Sequence, residues 1–253
     1  MGKNSLPRSA GRENSRLARG VRLLNARAAG RAKHAFPRVQ ERVRPSRNRR
    51  SGGLGMGDTR VCVFDLGNVM VFHHEARFFT QLAAACRPGA PAEELFYQAF
   101  DQIDVGRGGD FDALHPRLVE RAGLRWSLAE LRLAWSDIFA ANPPMVELVR
   151  TLPRPRALLS NTHEPHVSWI RERFPEIFPL FDHCVLSNEV GLAKPDPAFF
   201  QHVERRTGLP PARHIFTDDR EDNIAIAQSL GWQAFQFVGV EHCRRRLGEW
   251  GAW

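Results

Sequence analysis

From Arg60 onward, short apolar segments alternate along the chain with longer segments of helical periodicity. Alternation of this kind is typical of a parallel sheet that is covered by helices on both faces. We therefore predict an α/β fold with a Rossmann-like, three-layer parallel sheet. The strands are predicted at Arg60–Leu66, Arg156–Ser160, Cys184–Ser187, His214–Thr217 and Gln233–Phe237.

Helix start and stop signals support this layout. Asp196 is well placed to cap a helix over Pro197–Thr207, and Gly208 follows as a stop signal. A second helix is predicted over Glu221–Leu230, with Gly231 after it. Both helices would pack against the sheet.

Residues 76–150 contain no convincing strand and predict an inserted all-helical cap domain. Ser127 and Glu130 form a capping-box sequence that opens one helix, and Pro91 opens another. The predicted domains are therefore a cap at 76–150 and an α/β core formed by 59–75 and 151–253. Because the insertion follows the first strand, it is a candidate lid over the ends of the strands.

Basic charge is concentrated in the first 58 residues. The 253-residue chain has a net charge of +8, but residues 1–58 hold 15 Lys and Arg against three acidic residues. Such a polar segment is predicted to be a disordered basic leader, because it cannot bury enough apolar surface. Three other interpretations stay open: a transit peptide, a nucleic-acid-binding tail, or translation that starts at Met56. The near absence of aromatic residues there argues against a nucleic-acid partner.

The rest of the composition narrows the protein class. No apolar run approaches the roughly 18 residues of a membrane span, so no membrane partner is expected. The four cysteines are scattered, which disfavours a zinc site or a disulfide framework. We expect a cytoplasmic protein that is a monomer or a homodimer.

Polar side chains follow the predicted strands where these end. Asp65 follows the first strand, Ser160 and Asn161 the second, and Asp218 and Asp219 the fourth. In an open α/β sheet the ligand site lies beyond the carboxyl ends of the strands, so these side chains should converge. Three carboxylates in one place repel one another unless a cation lies among them, and oxygen ligands of this kind suit Mg²⁺.

Lys194 is the single lysine after residue 58 in a chain that otherwise uses arginine for positive charge. A compact ammonium group differs from the planar guanidinium group in how it meets an anion. Together with a metal ion and the Ser160 hydroxyl, Lys194 could hold a phosphoryl group.

Four segments carry this chemistry: Phe64–Val69, Leu159–Thr162, Lys194–Asp196 and Phe216–Asn223. In order and spacing, over residues 60 to 240, they resemble the four motifs of the haloacid dehalogenase superfamily of hydrolases. The helical insertion resembles the first (C1) type of cap in that superfamily. The motif wording looks most similar to the subfamily IA branch that contains α-D-glucose-1-phosphate phosphatase.

The resemblance implies a phosphatase that acts through an aspartyl-phosphate on a small phosphorylated metabolite. Asp65 would be the nucleophile and Lys194 would neutralise the transferring group. Ser160 and the Asn161 N–H would bind phosphate oxygens.

The resemblance also implies a Mg²⁺ site. Asp65, the Gly67 carbonyl and Asp219 would coordinate the ion, and Asp218 would orient a metal-bound water. Asn223 would anchor the loop of the fourth motif.

Gly67 departs from the pattern of the resembled family, which usually has an aspartate there as a general acid and base. A glycine cannot transfer a proton, although its carbonyl can still bind a metal. Either another side chain supplies the proton, or the substrate has a leaving group that departs readily, as a sugar 1-phosphate does. The open candidates for the first case are His73, His74, Glu75, His163 and His166.

Substrate choice is expected to depend on the cap. Its glycine-rich loop carries Arg107, which we predict contacts the substrate. Two alternatives to a phosphatase stay open: a non-catalytic binding protein that retains the fold, and a metal-independent haloacid dehalogenase. The paired acids Asp218 and Asp219 favour metal and phosphate over halide.

Overall fold

The computed structural model describes residues 59–253. Its strands are β1 (Val61–Phe64), β2 (Val71–His73), β3 (Phe139–Ala141), β4 (Arg156–Ser160), β5 (His183–Leu186), β6 (His214–Asp218) and β7 (Gln233–Gln236). Five of them form a parallel sheet in the order β5-β4-β1-β6-β7, and β2 pairs with β3 in a separate antiparallel ribbon. All five predicted strands are confirmed, with ends that differ by at most two residues.

Helices connect the strands. The α-helices of the described residues are α1 (Glu75–Ala85), α2 (Ala92–Ile103), α3 (Leu114–Ala122), α4 (Leu128–Ser136), α5 (Pro143–Thr151), α6 (Glu164–Arg173), α7 (Ser187–Val190), α8 (Pro197–Thr207), α9 (Glu221–Ser229) and α10 (Val240–Glu249). Short 3₁₀ turns lie at Val105–Arg107, Phe111–Ala113, Phe178–Leu180 and Pro211–Arg213. The Asp196 side chain accepts a hydrogen bond from the Ala198 N–H, so the predicted cap of α8 is confirmed.

The sheet is buried on both faces. Successive residues of a strand point to opposite sides, and all four residues of β1 are buried. Val61 and Val63 pack in one hydrophobic cluster with Phe199 of α8, whereas Cys62 and Phe64 pack in the other. Burial on both faces explains why β1 is a continuous apolar run, and it confirms the predicted three-layer arrangement.

Helices α1 to α4 enclose a third hydrophobic cluster that is rich in aromatic rings. The ring centroid of Phe96 lies 5.1 Å from that of Phe78 and 4.8 Å from that of Trp135, distances at which aromatic rings attract each other. The capping box of Ser127 and Glu130 is present at the start of α4. A core of its own supports the inference that this insertion is a separate cap.

The sequence prediction that residues 76–150 lack strands is wrong at β3. Its three residues continue the helical spacing of α4, but their backbone pairs with β2, which is distant in sequence. Met145 and Val149 of α5 pack in the cluster beneath the sheet. We therefore infer that the cap ends near residue 142.

The predictions for residues 1–58 lie outside the described part of the chain. Within residues 59–253, no helix has both the length and the hydropathy that crossing a bilayer requires.

Candidate active site

The candidate site lies where the order of the sheet reverses. In chain order, the strands on one side of β1 are β4 and β5, and those on the other side are β6 and β7. This reversal opens a crevice beyond the carboxyl ends of β1 and β6. Asp65 follows β1 and Asp218 ends β6, so both buried carboxylates border the crevice.

Three carboxylates and one ammonium group meet in this crevice. Asp65, Asp218 and Asp219 each offer an oxygen that lies within 4.8 Å of the others. The Nζ of Lys194 lies 2.8 Å from Oδ1 of Asp65 and 2.6 Å from Oδ2 of Asp218. The structure thus brings together four of the predicted site residues, which come from three separate segments of the chain.

Burial and mutual repulsion disfavour the ionised forms of the acidic side chains. Burial raises the pKa of Asp65 to about 7, an effect that Lys194 opposes and the other two carboxylates increase. Burial also raises the pKa of Asp219, against a hydrogen bond from Asn68. Burial alone would lower the pKa of Lys194, but Asp218 and Asp65 outweigh it and raise that pKa, so the lysine is cationic.

The carboxylate oxygen of Asp218 that does not contact Lys194 also has hydrogen-bond donors. Its Oδ1 accepts hydrogen bonds from the Arg220 N–H and from Nδ2 of Asn223, both at 2.9 Å. The predicted anchoring by Asn223 is confirmed. Since Oδ2 is bound by Lys194, both oxygens of the carboxylate have fixed partners.

Asn161 positions the backbone of Lys194. Its Nδ2 donates to the Lys194 carbonyl at 2.8 Å, and the Lys194 N–H donates to its Oδ1 at 2.7 Å. Ser160 is buried at the end of β4, the strand beside β1, and its Oγ lies 3.5 Å from the Asn161 carbonyl. The phosphate-binding roles of Ser160 and Asn161 stay predictions.

Two supporting residues were missed from sequence. The Nδ2 of Asn68 donates to Oδ2 of Asp219 at 2.9 Å, and Asn68 adopts a left-handed backbone with φ 54°. The Gly67-Asn68 pair is a turn signal that could have been noticed. The Oγ of Ser187 accepts from the Thr162 N–H at 2.8 Å and donates to the Thr162 carbonyl at 3.0 Å, which ties α7 to the loop after β4.

Two clefts differ in their relation to the acids. One of about 410 Å³ is lined by Asn68 and Asp219 and bordered by Phe72, Phe237 and Val238. A larger one of about 610 Å³ lies between α1 and α4 of the cap, and its lining contains none of the three acids. Of these two clefts, the smaller one therefore adjoins the acidic cluster, through Asp219.

The loop that carries Arg107 packs against α7. Gly108 has φ 95°, and a Cβ there would lie 2.6 Å from the Asn188 carbonyl oxygen, so glycine permits this close approach. The guanidinium group of Arg107 lies 3.5 Å from Asp104. The predicted contact of Arg107 with substrate stays a prediction.

The donor set of the crevice fits Mg²⁺. All three side chains offer carboxylate oxygens, the ligands that hard cations prefer. When ionised they carry three negative charges against the single charge of Lys194, so a divalent cation would balance the site. Gly67 lies in the turn that connects β1 and β2, where its carbonyl is predicted to contribute another oxygen.

Comparison with known proteins agrees with the fold. The haloacid dehalogenase-like hydrolase family matches residues 59–231. The chain therefore belongs to the haloacid dehalogenase-like hydrolase family.

Individual relatives are similar over part of the chain. The chain is 29% identical to the D-ribitol-5-phosphate phosphatase of Bacteroides thetaiotaomicron over 145 residues, which are 54% of this chain and 70% of that enzyme. It is 38% identical to the drimenol cyclase drtB of Aspergillus calidoustus over 68 residues, which are 27% of this chain and only 13% of that protein.

A solved structure shares the fold. A variant of the HAD family enzyme bt-2542 of Bacteroides thetaiotaomicron, crystallised with magnesium and inorganic phosphate, superposes with a TM-score of 0.62 at 25% identity. The match covers 70% of this chain and 93% of that one.

Proposed function

We propose that this hydrolase is a Mg²⁺-dependent phosphomonoesterase that acts on a small phosphorylated metabolite through an aspartyl-phosphate. The observation that carries the proposal is the Lys194 ammonium group between Asp65 and Asp218, with Asp219 beside them. A nucleophile, a fixed positive charge and a divalent-cation site are the parts that phosphoryl transfer needs.

Asp65 is the proposed nucleophile. Its Oδ1 accepts from the Leu66 N–H at 2.7 Å and contacts Lys194, so the plane of the carboxylate is fixed before substrate arrives. Lys194 neutralises the nucleophile and the transferred group, while Ser160 and the Asn161 N–H bind phosphate oxygens. Bound Mg²⁺ would add positive charge at the phosphoryl oxygens and balance the carboxylates.

The relatives support a phosphatase. One is named as a phosphatase of D-ribitol 5-phosphate, and the structural relative was crystallised with magnesium and inorganic phosphate. The dehalogenase alternative does not explain Asp219. Halide displacement by an aspartate needs no metal, so a third carboxylate close to Asp65 and Asp218 would only add electrostatic repulsion.

A phosphate-release assay with an aryl phosphate tests the proposal. We expect release with Mg²⁺ and none after chelation. A non-catalytic binding protein would release no phosphate under either condition, and a dehalogenase would release halide from a 2-haloacid in the presence of chelator. Either result would refute the proposal.

The finer prediction concerns the substrate. We expect glucose 1-phosphate to be hydrolysed faster than glucose 6-phosphate, because the anomeric oxygen is the better leaving group. The motif resemblance to the glucose-1-phosphate phosphatase branch points the same way. Initial rates of phosphate release from the two isomers, which have equal mass and charge, provide the measurement. Equal kcat/KM values would count against a sugar 1-phosphate substrate.

Binding of Mg²⁺ should stabilise the protein more as the pH rises. The folded-state pKa of Asp65, about 7, exceeds its ordinary value of 3.8, so the folded protein retains a proton that the unfolded chain has lost between these values. This group therefore lowers the free energy of unfolding as the pH rises through that window. Mg²⁺ competes with the proton and reverses the loss.

A hundredfold excess of Mg²⁺ over its Kd contributes about 2.7 kcal/mol, which corresponds to a rise in Tm of roughly 5–10 °C near pH 8. Near pH 5 we expect a much smaller rise, since protons compete more strongly. Differential scanning fluorimetry at matched ionic strength measures both. The Asp219→Asn variant should lose the rise, and a rise that is independent of pH would contradict the site.

A further inference from the structure

The imidazole of His73 lies beside the position that a side chain at residue 67 would take. A Cβ built on Gly67 has as its nearest neighbours Cδ2 of His73, at 3.6 Å, and Nε2 of His73, at 3.8 Å. Both are van der Waals contact distances, so a carboxylate at position 67 would be a direct neighbour of this imidazole. The imidazole thus adjoins the position of the missing acidic side chain, two residues after Asp65 in the chain.

The orientation of the imidazole is set from the cap. Its Nδ1 lies 3.5 Å from Oε1 of Glu75, and Oε2 of Glu75 accepts a hydrogen bond from the Tyr97 hydroxyl at 2.9 Å. Burial and the neighbouring Glu75 raise the pKa of Tyr97, so the hydroxyl keeps the proton that it donates. With Nδ1 directed to Glu75, Nε2 faces Gly67.

The other histidines near the crevice have structural partners or lie in solvent. Nε2 of His163 accepts from the Trp135 indole at 2.9 Å, and burial lowers the pKa of His163 to about 3. The ring centroid of His166 lies 3.8 Å from that of His163, and Nε2 of His166 contacts the Trp135 carbonyl. His74 is exposed at the start of α1. The side chain of His73, by contrast, is 33% exposed and so is both oriented and accessible.

We propose that His73 is the general acid and base of this site, replacing the side chain that Gly67 lacks. The proposal rests on the phosphatase function proposed above. When Asp65 attacks phosphorus and the bond to the leaving oxygen breaks, Nε2–H of His73 gives its proton to that oxygen. Nε2 then takes a proton from the water that attacks the aspartyl-phosphate, which releases inorganic phosphate and restores Asp65.

Leaving-group dependence tests the proposal. Phenyl phosphate and 4-nitrophenyl phosphate are similar in size, but 4-nitrophenolate departs without a proton. We expect His73→Gln to lower kcat/KM for phenyl phosphate by about 10²–10⁴ and to affect 4-nitrophenyl phosphate far less. His74→Gln makes the same change at the exposed neighbour and should leave the ratio of the two substrates unchanged.

A double variant guards against a merely structural effect. Gly67→Asp combined with His73→Ala supplies a carboxylate beside the space that the imidazole vacates and should restore phenyl phosphate hydrolysis. Equal losses on both substrates in His73→Gln, or no loss, would overturn the proposal. Asp65→Asn separates the two claims: if it abolishes phosphate release while His73→Gln shows no leaving-group dependence, the phosphatase stands and the role of His73 falls.

Discussion

Asp65→Asn is expected to abolish phosphate release, with a loss of about 10⁴-fold or more, because an amide cannot act as the nucleophile. The variant should still fold. The amide oxygen can accept the Leu66 N–H hydrogen bond, and the side chain keeps its size. Because burial makes the Asp65 carboxylate costly to ionise, the metal-free variant should be at least as stable as the parent above neutral pH.

Two measurements check this expectation. Steady-state phosphate release gives the loss of kcat, and mass spectrometry of acid-quenched protein should find a phosphorylated peptide around Asp65 in the parent only. Asp137→Asn, a matched change at an exposed cap residue, should leave both unchanged. Turnover of Asp65→Asn within about tenfold of the parent would remove Asp65 from the mechanism.

The strands of the sheet could be predicted from sequence because each is determined locally. β1, β4 and β6 are buried on both faces, so their apolar runs are unbroken and end at a polar residue. Since parallel strands all place their carboxyl ends on one edge, the predicted strand ends also predicted that Asp65 and Asp218 would meet.

Features that depend on contacts between distant segments could not be predicted. β3 is only three residues long and pairs with the distant strand β2, so its sequence shows no alternation of apolar and polar residues that would predict a strand. Asn68 contacts Asp219 across 151 positions of the chain. His73 could not be chosen among the five candidates from sequence, because only the structure shows that its imidazole lies beside Gly67.

Lys194 carries the second large effect, on activity and on stability together. Lys194→Met leaves Asp65, Asp218 and Asp219 without their buried counter-charge. Removing one partner of a buried ion pair costs about 3–5 kcal/mol. The folded-state pKa of Lys194 is raised, so its stabilising contribution is fully present below the ordinary lysine pKa and is lost only as the pH rises through the folded-state value.

We therefore expect Lys194→Met to unfold at lower denaturant concentration at neutral pH and to lose about 10²–10³ in kcat, because no positive charge meets the transferring group. Mg²⁺ should recover part of the stability, since the ion balances the same carboxylates, but it should not recover the activity. Urea unfolding with and without Mg²⁺, followed by phosphate release, separates the two contributions.

Lys194→Arg and Arg150→Met are the controls. Arginine keeps the charge, but its planar group is larger than the fully enclosed ammonium, so stability should be regained more than activity. Arg150 pairs with Glu147 on the exposed side of α5, where loss of an ion pair changes stability little. If Lys194→Met unfolded like the parent, the carboxylates would not depend on that charge, and the electrostatic account of the crevice would be wrong.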